Sequence, residues 1–154
     1  MAYIDVITLQ TAKDYLGVDD TARDPEITRM ISSACLYIEN YTRVILAARA
    51  ETYYFDNNGC VRVYDFPINS LTSPANAVRT RRGTYSFYST PTTSETELVL
   101  NIGYVTPSDV PSTIVDAALQ IIGVWFYGSE KQNNTGVMPM NINQLLDQHK
   151  RFLL

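Results

Sequence analysis

Histidine occurs once in this chain, at His149, and cysteine only twice, at Cys35 and Cys60. A zinc site draws several thiolates or imidazoles from closely spaced positions, and a disulfide framework needs cysteines in greater number, so neither is expected. Cys35 falls on an apolar helical face and reads as a small core residue. Cys60 follows a turn at the start of a strand and reads as incidental. His149 sits beside Lys150 and Arg151 on a terminal helical pattern, where it reads as a surface or interface residue rather than a catalytic base.

Lysine is nearly as scarce, with three in the chain, and six acids precede residue 30. The formal charge is −4 and the pI about 4.9. A general phosphate-neutralising face is therefore excluded. Long apolar runs are missing too. None reaches the roughly 18 residues of a membrane span, and the N-terminus lacks a basic-then-apolar signal, so no membrane partner and synthesis in a cytoplasm are expected. The sequence contains no G-x-S-x-G, no P-loop, no G-x-G-x-x-G and no H-E-x-x-H. Asp19 and Asp20 form a carboxylate pair, but in a loop between helices with no second acidic strand to complete a site, and solvated charge is the better reading. The expectation is a protein that is not an enzyme, with no cofactor and no metal.

What is present is enough for a core. At 154 residues with 45% hydrophobic and 18% charged, the chain is read as one domain that buries roughly 70% of its unfolded surface. Eleven tyrosines with few lysines hint at surface that another protein covers.

The apolar period divides the chain. Residues 8–16 read as a short helix capped by Thr8, with Leu9, Ala12 and Leu16 on one face and Gly17 ending it. An acidic loop leads to a second helix over 25–42, with Asp24 as its expected N-cap and Pro25 at the first position. Ile27, Met30, Ile31, Ala34, Cys35, Ile38 and Tyr41 recur along it at helical spacing. Over 50–104 the pattern turns to short strands. "ETYYF" and "CVRVYDF" flank the turn "DNNG" and read as a hairpin, with an Arg62–Asp65 pair across one face. "NAVRTRR" and "TYSFYS" around Gly83 read as a second, "TPTTSET" as a polar loop, and "ELVLNIGY" as a further strand presenting Leu98, Leu100 and Ile102. Pro111 opens a third helix to about 127, and "EKQNNTGVMPMN" is a loop. A capping box of Asn141 and Gln144 starts a last amphipathic segment, 141–154. The fold class is α+β, mainly α: a helical core of one short and two long helices, a small antiparallel hairpin section, and a tethered C-terminal segment.

Three of the nine arginines fall within four residues, in "AVRTRRGTYSFY". On a strand Arg79 and Arg81 point one way and Arg82 the other, while Tyr85 and Phe87 share a face. Such a strand suits contact with a neighbouring protein, stacking on nucleic acid bases, or a solvated edge guarded against aggregation. The acidic balance favours the first.

"ITLQTAKDYLGVDDTARDPEITRMISSACLYIENYTRV" resembles the opening of the head–tail connector (adaptor) proteins of tailed bacteriophages. "VPSTIVDAALQIIGVWFYGSE" resembles that family's second core helix, and "LLDQHKRFLL" its terminal segment. The likeness covers roughly 7–45 and 97–153; the middle matches only in kind, and its β section is longer than the minimal pattern. The resemblance implies a structural virion protein without enzymatic activity. Its partners would be further copies of itself in a ring, usually of twelve, the portal protein of the capsid, and the tail or stopper. DNA would pass through the channel without sequence-specific binding. On that reading Arg79, Arg81, Arg82, Tyr85 and Phe87 form an arm toward an adjacent subunit or ring, with Asp19, Asp20 and Asp24 of a neighbour as one counterpart. Leu145, Leu146, His149 and Phe152 would dock on the portal. The alternatives are a tail-completion or stopper protein on the same axis, and a non-viral protein- or nucleic-acid-binding module or small hydrolase.

Overall fold

The computed structural model describes residues 2–91, 96–130 and 139–150, with backbone alone at 129, 130 and 140. The expected loops around 92–95 and 131–138, and the terminal residues 151–154 including Phe152, lie outside the described residues. The fold is mixed α+β, with helices around one apolar cluster and two three-stranded antiparallel sheets around another.

A short helix α1 (Tyr3–Val6) precedes α2 (Leu9–Leu16). Thr8 caps α2 by accepting from the Thr11 N–H, and Gly17 closes it in the left-handed region (φ 66°), as the sequence implies. Helix α3 (Asp24–Thr42) has Arg23, not Asp24, at its N-cap position. Asp24 lies one residue inside, where its carboxylate takes the Lys13 ammonium at 2.8 Å and ties α2 to the start of α3. Helix α4 (Ser112–Glu130) is buried along most of its circumference, from Ile114 through Ala117, Ala118, Leu119, Ile121 and Ile122 to Phe126. A helix that is apolar nearly all round belongs at the centre of its bundle, and α4 packs against α2, α3 and α5 (Met140–Asp147). The last helix starts at Pro139 without a side-chain cap. The expected Asn141–Gln144 box does not form, because the Asn141 amide donates to Gln120 Oε1 on α4.

Strand β6 (Glu97–Ile102) lies between β1 (Arg49–Tyr54) and β3 (Ile68–Ser73) in one sheet. Leu98, Leu100 and Ile102 alternate onto its buried face, each stabilising the fold by roughly 1.5–3 kcal/mol on burial. In the second sheet β5 (Tyr85–Ser89) lies between β2 (Cys60–Val63) and β4 (Val78–Arg82). Val63 and Tyr88 bring this sheet into the same apolar cluster as β6.

This topology corrects the first expected hairpin. "DNNG" does make its turn, with the Gly59 N–H on the Asp56 carbonyl at 2.9 Å, but β1 pairs with β6 and β2 with β5. The turn carries the chain from one sheet to the other. The second hairpin, β4–β5 around Gly83, forms as expected.

The segment joining helices to sheets is itself buried. Val44 and Leu46 belong to the helical cluster while Ile45 between them belongs to the sheet cluster. Gly103 presses against this segment with φ 98°, and an added Cβ would stand 2.8 Å from the Ala47 carbonyl oxygen. Gly103→Ala is therefore expected to destabilise the fold by ~2–4 kcal/mol. Gly17→Ala, which meets open space, should cost only ~1 kcal/mol of left-handed strain. Urea denaturation of the two variants measures the difference.

Candidate functional site

The arginine strand β4 is an edge strand, exposed at all five positions, with β5 as its one ladder partner. Register decides what each side chain shares. Arg79 lies opposite Tyr88 and Arg81 opposite Ser86, while Arg82 lies opposite Tyr85 and Thr80 opposite Phe87. Directly opposed residues occupy the same face. Arg79 and Arg81 are thus on the face of Ser86 and Tyr88, and it is Arg82 that joins Tyr85 and Phe87. Arg79 donates to the Ser86 hydroxyl at 3.1 and 3.2 Å. Arg82 lies over the Phe87 ring at 5.4 Å and Arg62, from β2, over Tyr85 at 5.9 Å. Asp65 accepts instead from the Tyr53 hydroxyl at 2.7 Å. The expected Arg62–Asp65 pair is thereby replaced by two other contacts.

The result is a small sheet with aromatic rings and guanidinium groups on one face and two further arginines on the other. The cleft under the hairpin holds only about 40 Å³, room for a water or two rather than a substrate. Among the described residues no group of three or more His, Cys, Asp or Glu could hold a metal ion. Burial pushes the Cys35 thiol up to about 12, so it offers no thiolate near neutral pH.

The acidic counterpart separates into two kinds of residue. Asp19 and Asp20 are exposed, Asp20 turning the loop by accepting from the Ala22 N–H at 2.9 Å. Asp24 is engaged by Lys13 within its own chain.

The C-terminal positions divide similarly. Leu146 is fully buried in the helical cluster, beside Ile142, and Leu145 packs partly against it. Leu146 is therefore withdrawn as a docking anchor, because the apolar face of α5 covers its own subunit's core. Polar contacts fasten the same helix, with Tyr41 donating to Asp147 at 2.7 Å and Lys150 lying over the Tyr41 ring at 4.3 Å. His149 Nε2 is 2.6 Å from the Thr113 hydroxyl, and burial pulls its pKa below 6.5.

The most connected polar group was not foreseen. Glu39, 3% exposed, accepts from the Tyr3 hydroxyl at 2.8 Å, the Leu46 N–H at 2.7 Å and Arg49 at 2.9 Å. Arg49 in turn donates to Glu51 at 2.7 Å. A signal existed: Glu39 continues the four-residue spacing of Ile27, Ile31 and Cys35, so it stands on the apolar face of α3.

No protein-family model and no curated protein matches the sequence. Solved structures match in fold. A chain from the virion of a native gene transfer agent (GTA) particle aligns with TM-score 0.76 at 12% identity, covering 100% of this chain and 94% of the other. A chain from the neck of an empty GTA particle, computed with C6 symmetry, aligns with TM-score 0.76 at 14% identity, covering 97% and 91%. One from the neck of a native GTA particle, computed with C12 symmetry, aligns with TM-score 0.70 at 13% identity, covering 97% and 91%. At such identities the likeness is one of fold, and it extends over nearly the whole of each chain.

Glu39→Ala strands the buried Leu46 N–H and two side-chain donors and should cost about 3 kcal/mol or more. Glu51→Gln, at a half-exposed pair, should cost less than ~1 kcal/mol. Denaturant titration separates them. Burial, followed by the bond to Glu39, also pushes the Tyr3 hydroxyl from 10.0 to about 12. A raised pKa on an acid means that the fold favours its neutral form. The stabilisation is complete below pH 10 and is lost as pH rises toward 12. Tyr3→Phe should flatten the fall in stability across that window.

Proposed function

We propose that this chain is a structural subunit of a virion neck. It would form an adaptor ring between the capsid portal and the tail or stopper and extend the channel through which DNA passes. The observation that carries the reading is the nearly full-length likeness of fold to neck chains, one of them in a particle computed with twelve-fold symmetry. The sequence supports it independently through the order of its helical motifs. An acidic chain with three lysines also suits a channel in which DNA must slide, since a strongly basic lumen would retain it.

In such a ring each copy uses two different surfaces. Arg79, Arg81, Arg82, Tyr85 and Phe87 make one of them, an arm on the edge strand β4 and its neighbour β5. Asp19 and Asp20 are the acidic residues left exposed for a neighbour. Portal contact falls to the C-terminal end, where Leu145 and His149 are half-covered and Phe152 follows them in the sequence.

Light scattering of the purified protein over a range of concentrations tests the reading. The expected result is a species near ~209 kDa, twelve copies of the 17.4 kDa chain, or a mixture growing toward it as head-to-tail contacts close. A tight dimer whose mass does not change with concentration would overturn it, because a two-fold interface leaves no free surface for ring growth.

A further inference from the structure

On the side of the helical cluster, α2, α4 and the start of α5 enclose an open pocket of about 390 Å³, lined by Tyr15, Gly123, Val124, Tyr127 and Ile142. Two features hold its walls in place. The Tyr127 hydroxyl donates to the Leu16 carbonyl at 2.7 Å. Tyr15 lies over Gly123 so closely that a Cβ there would come within 3.2 Å of its ring. Yet Tyr15 and Tyr127 remain 50% and 47% exposed. They form a fixed, aromatic, unfilled surface of the size that receives side chains.

No charged residue lines this pocket, but acids flank its α2 wall in the sequence. Asp14 precedes Tyr15 on α2, and Asp19 and Asp20 follow within five residues; all three are exposed. The opposite charge stands elsewhere in the same chain. Arg79, Arg81 and Arg82 on β4 have no carboxylate partner among the described residues, and the strand begins with Val78, 59% exposed. Strand β4 packs on β5, whose sheet is linked to the rest through the sheet cluster and not through α2 or α4. The arginine strand and the tyrosine pocket of one copy thus belong to different parts of the fold, the sheet cluster and the helical cluster, whereas those of two copies can meet.

We propose that the tyrosine pocket is a socket for strand β4 of an adjacent copy. Val78 seats against Tyr15, Val124 and Tyr127, and the arginines reach the exposed Asp14, Asp19 and Asp20 that flank Tyr15 in the sequence. The contact is heterologous, each copy giving its arm and receiving another, which is the kind that closes rings. It rests on the ring reading above and assigns a receptor to the arm.

Charge exchange tests it. Asp19→Arg/Asp20→Arg reverses the acidic loop, and Arg79→Asp/Arg81→Asp reverses the arm. Each doubly substituted protein alone should lose at least tenfold in self-association by light scattering, with the far-ultraviolet circular dichroism of the wild type. An equimolar mixture should recover the ring, since every contact in an alternating assembly again joins opposite charges. Val78→Ser should weaken association several-fold without changing its salt dependence. Wild-type rings with no recovery in the mixture would overturn the socket and leave the ring reading standing. The same holds if the arm-reversed protein assembles normally and only its retention of duplex DNA changes, which assigns the arginines to DNA. Wild-type protein that stays monomeric at every concentration would overturn the ring reading and the socket with it.

Discussion

The buried carboxylate of Glu39 is the contact on which the two halves of the molecule depend. Moving a carboxylate out of water costs several kcal/mol unless its oxygens are fully bonded. Here they take one backbone N–H and two side-chain donors, from Leu46, Tyr3 and Arg49. Each donor belongs to a different piece of chain: α1, the buried connecting segment and β1. Helix α3 supplies the acceptor, so one side chain registers the helical cluster against the first sheet. An apolar residue at this position could fill the same volume but could not hold Leu46 in one place.

The position of the connecting segment follows from this. Residues 44–46 alternate between the two apolar clusters as a strand would. Their backbone bonds run to Phe66 and Tyr104, with the Ile45 N–H on the Phe66 carbonyl at 2.7 Å and the Ala48 N–H on the Tyr104 carbonyl at 3.1 Å. The Leu46 N–H points the other way, toward the helices, where Glu39 is its acceptor. Arg43, just before the segment, takes a left-handed conformation (φ 63°) to end α3 and start the connection, a strain of about 1 kcal/mol that the surrounding bonds sustain.

The helices were legible because local periodicity and burial agree. Ile27 through Ile38 recur at helical spacing and are all buried, and Thr8 and Gly17 bound α2 where their chemistry requires. The sheets were half legible. "DNNG" gave a true turn, but strand partners are chosen by which faces share a core, and that is not written near the turn. Strand β3 escaped notice because its apolar residues, Ile68 and Leu71, are three apart, and register shifts break its pairing with β6. The faces of the arginine strand needed the register with β5, which placed Arg82 rather than Arg79 and Arg81 beside the aromatic rings. The capping roles of Asp24 and Asn141 were lost to longer-range partners, Lys13 and Gln120. Local rules name a side chain's capabilities, while tertiary packing decides which one is used.

The distribution of charge completes the physical picture. The chain carries net charge −4, and a protein that met only copies of itself through scattered acids would repel them. Three arginines are instead concentrated on one exposed edge strand of the second sheet, while six acids precede residue 30. In the proposed ring, copies with like surfaces matched would be opposed by repulsion, and copies meeting arginine strand to acidic loop would be drawn together. That orientation would be the one that lets a chain of contacts continue. Glu39 would matter to that proposed contact as well, because the angle between arm and pocket is only as fixed as the joint between the sheets and the helices.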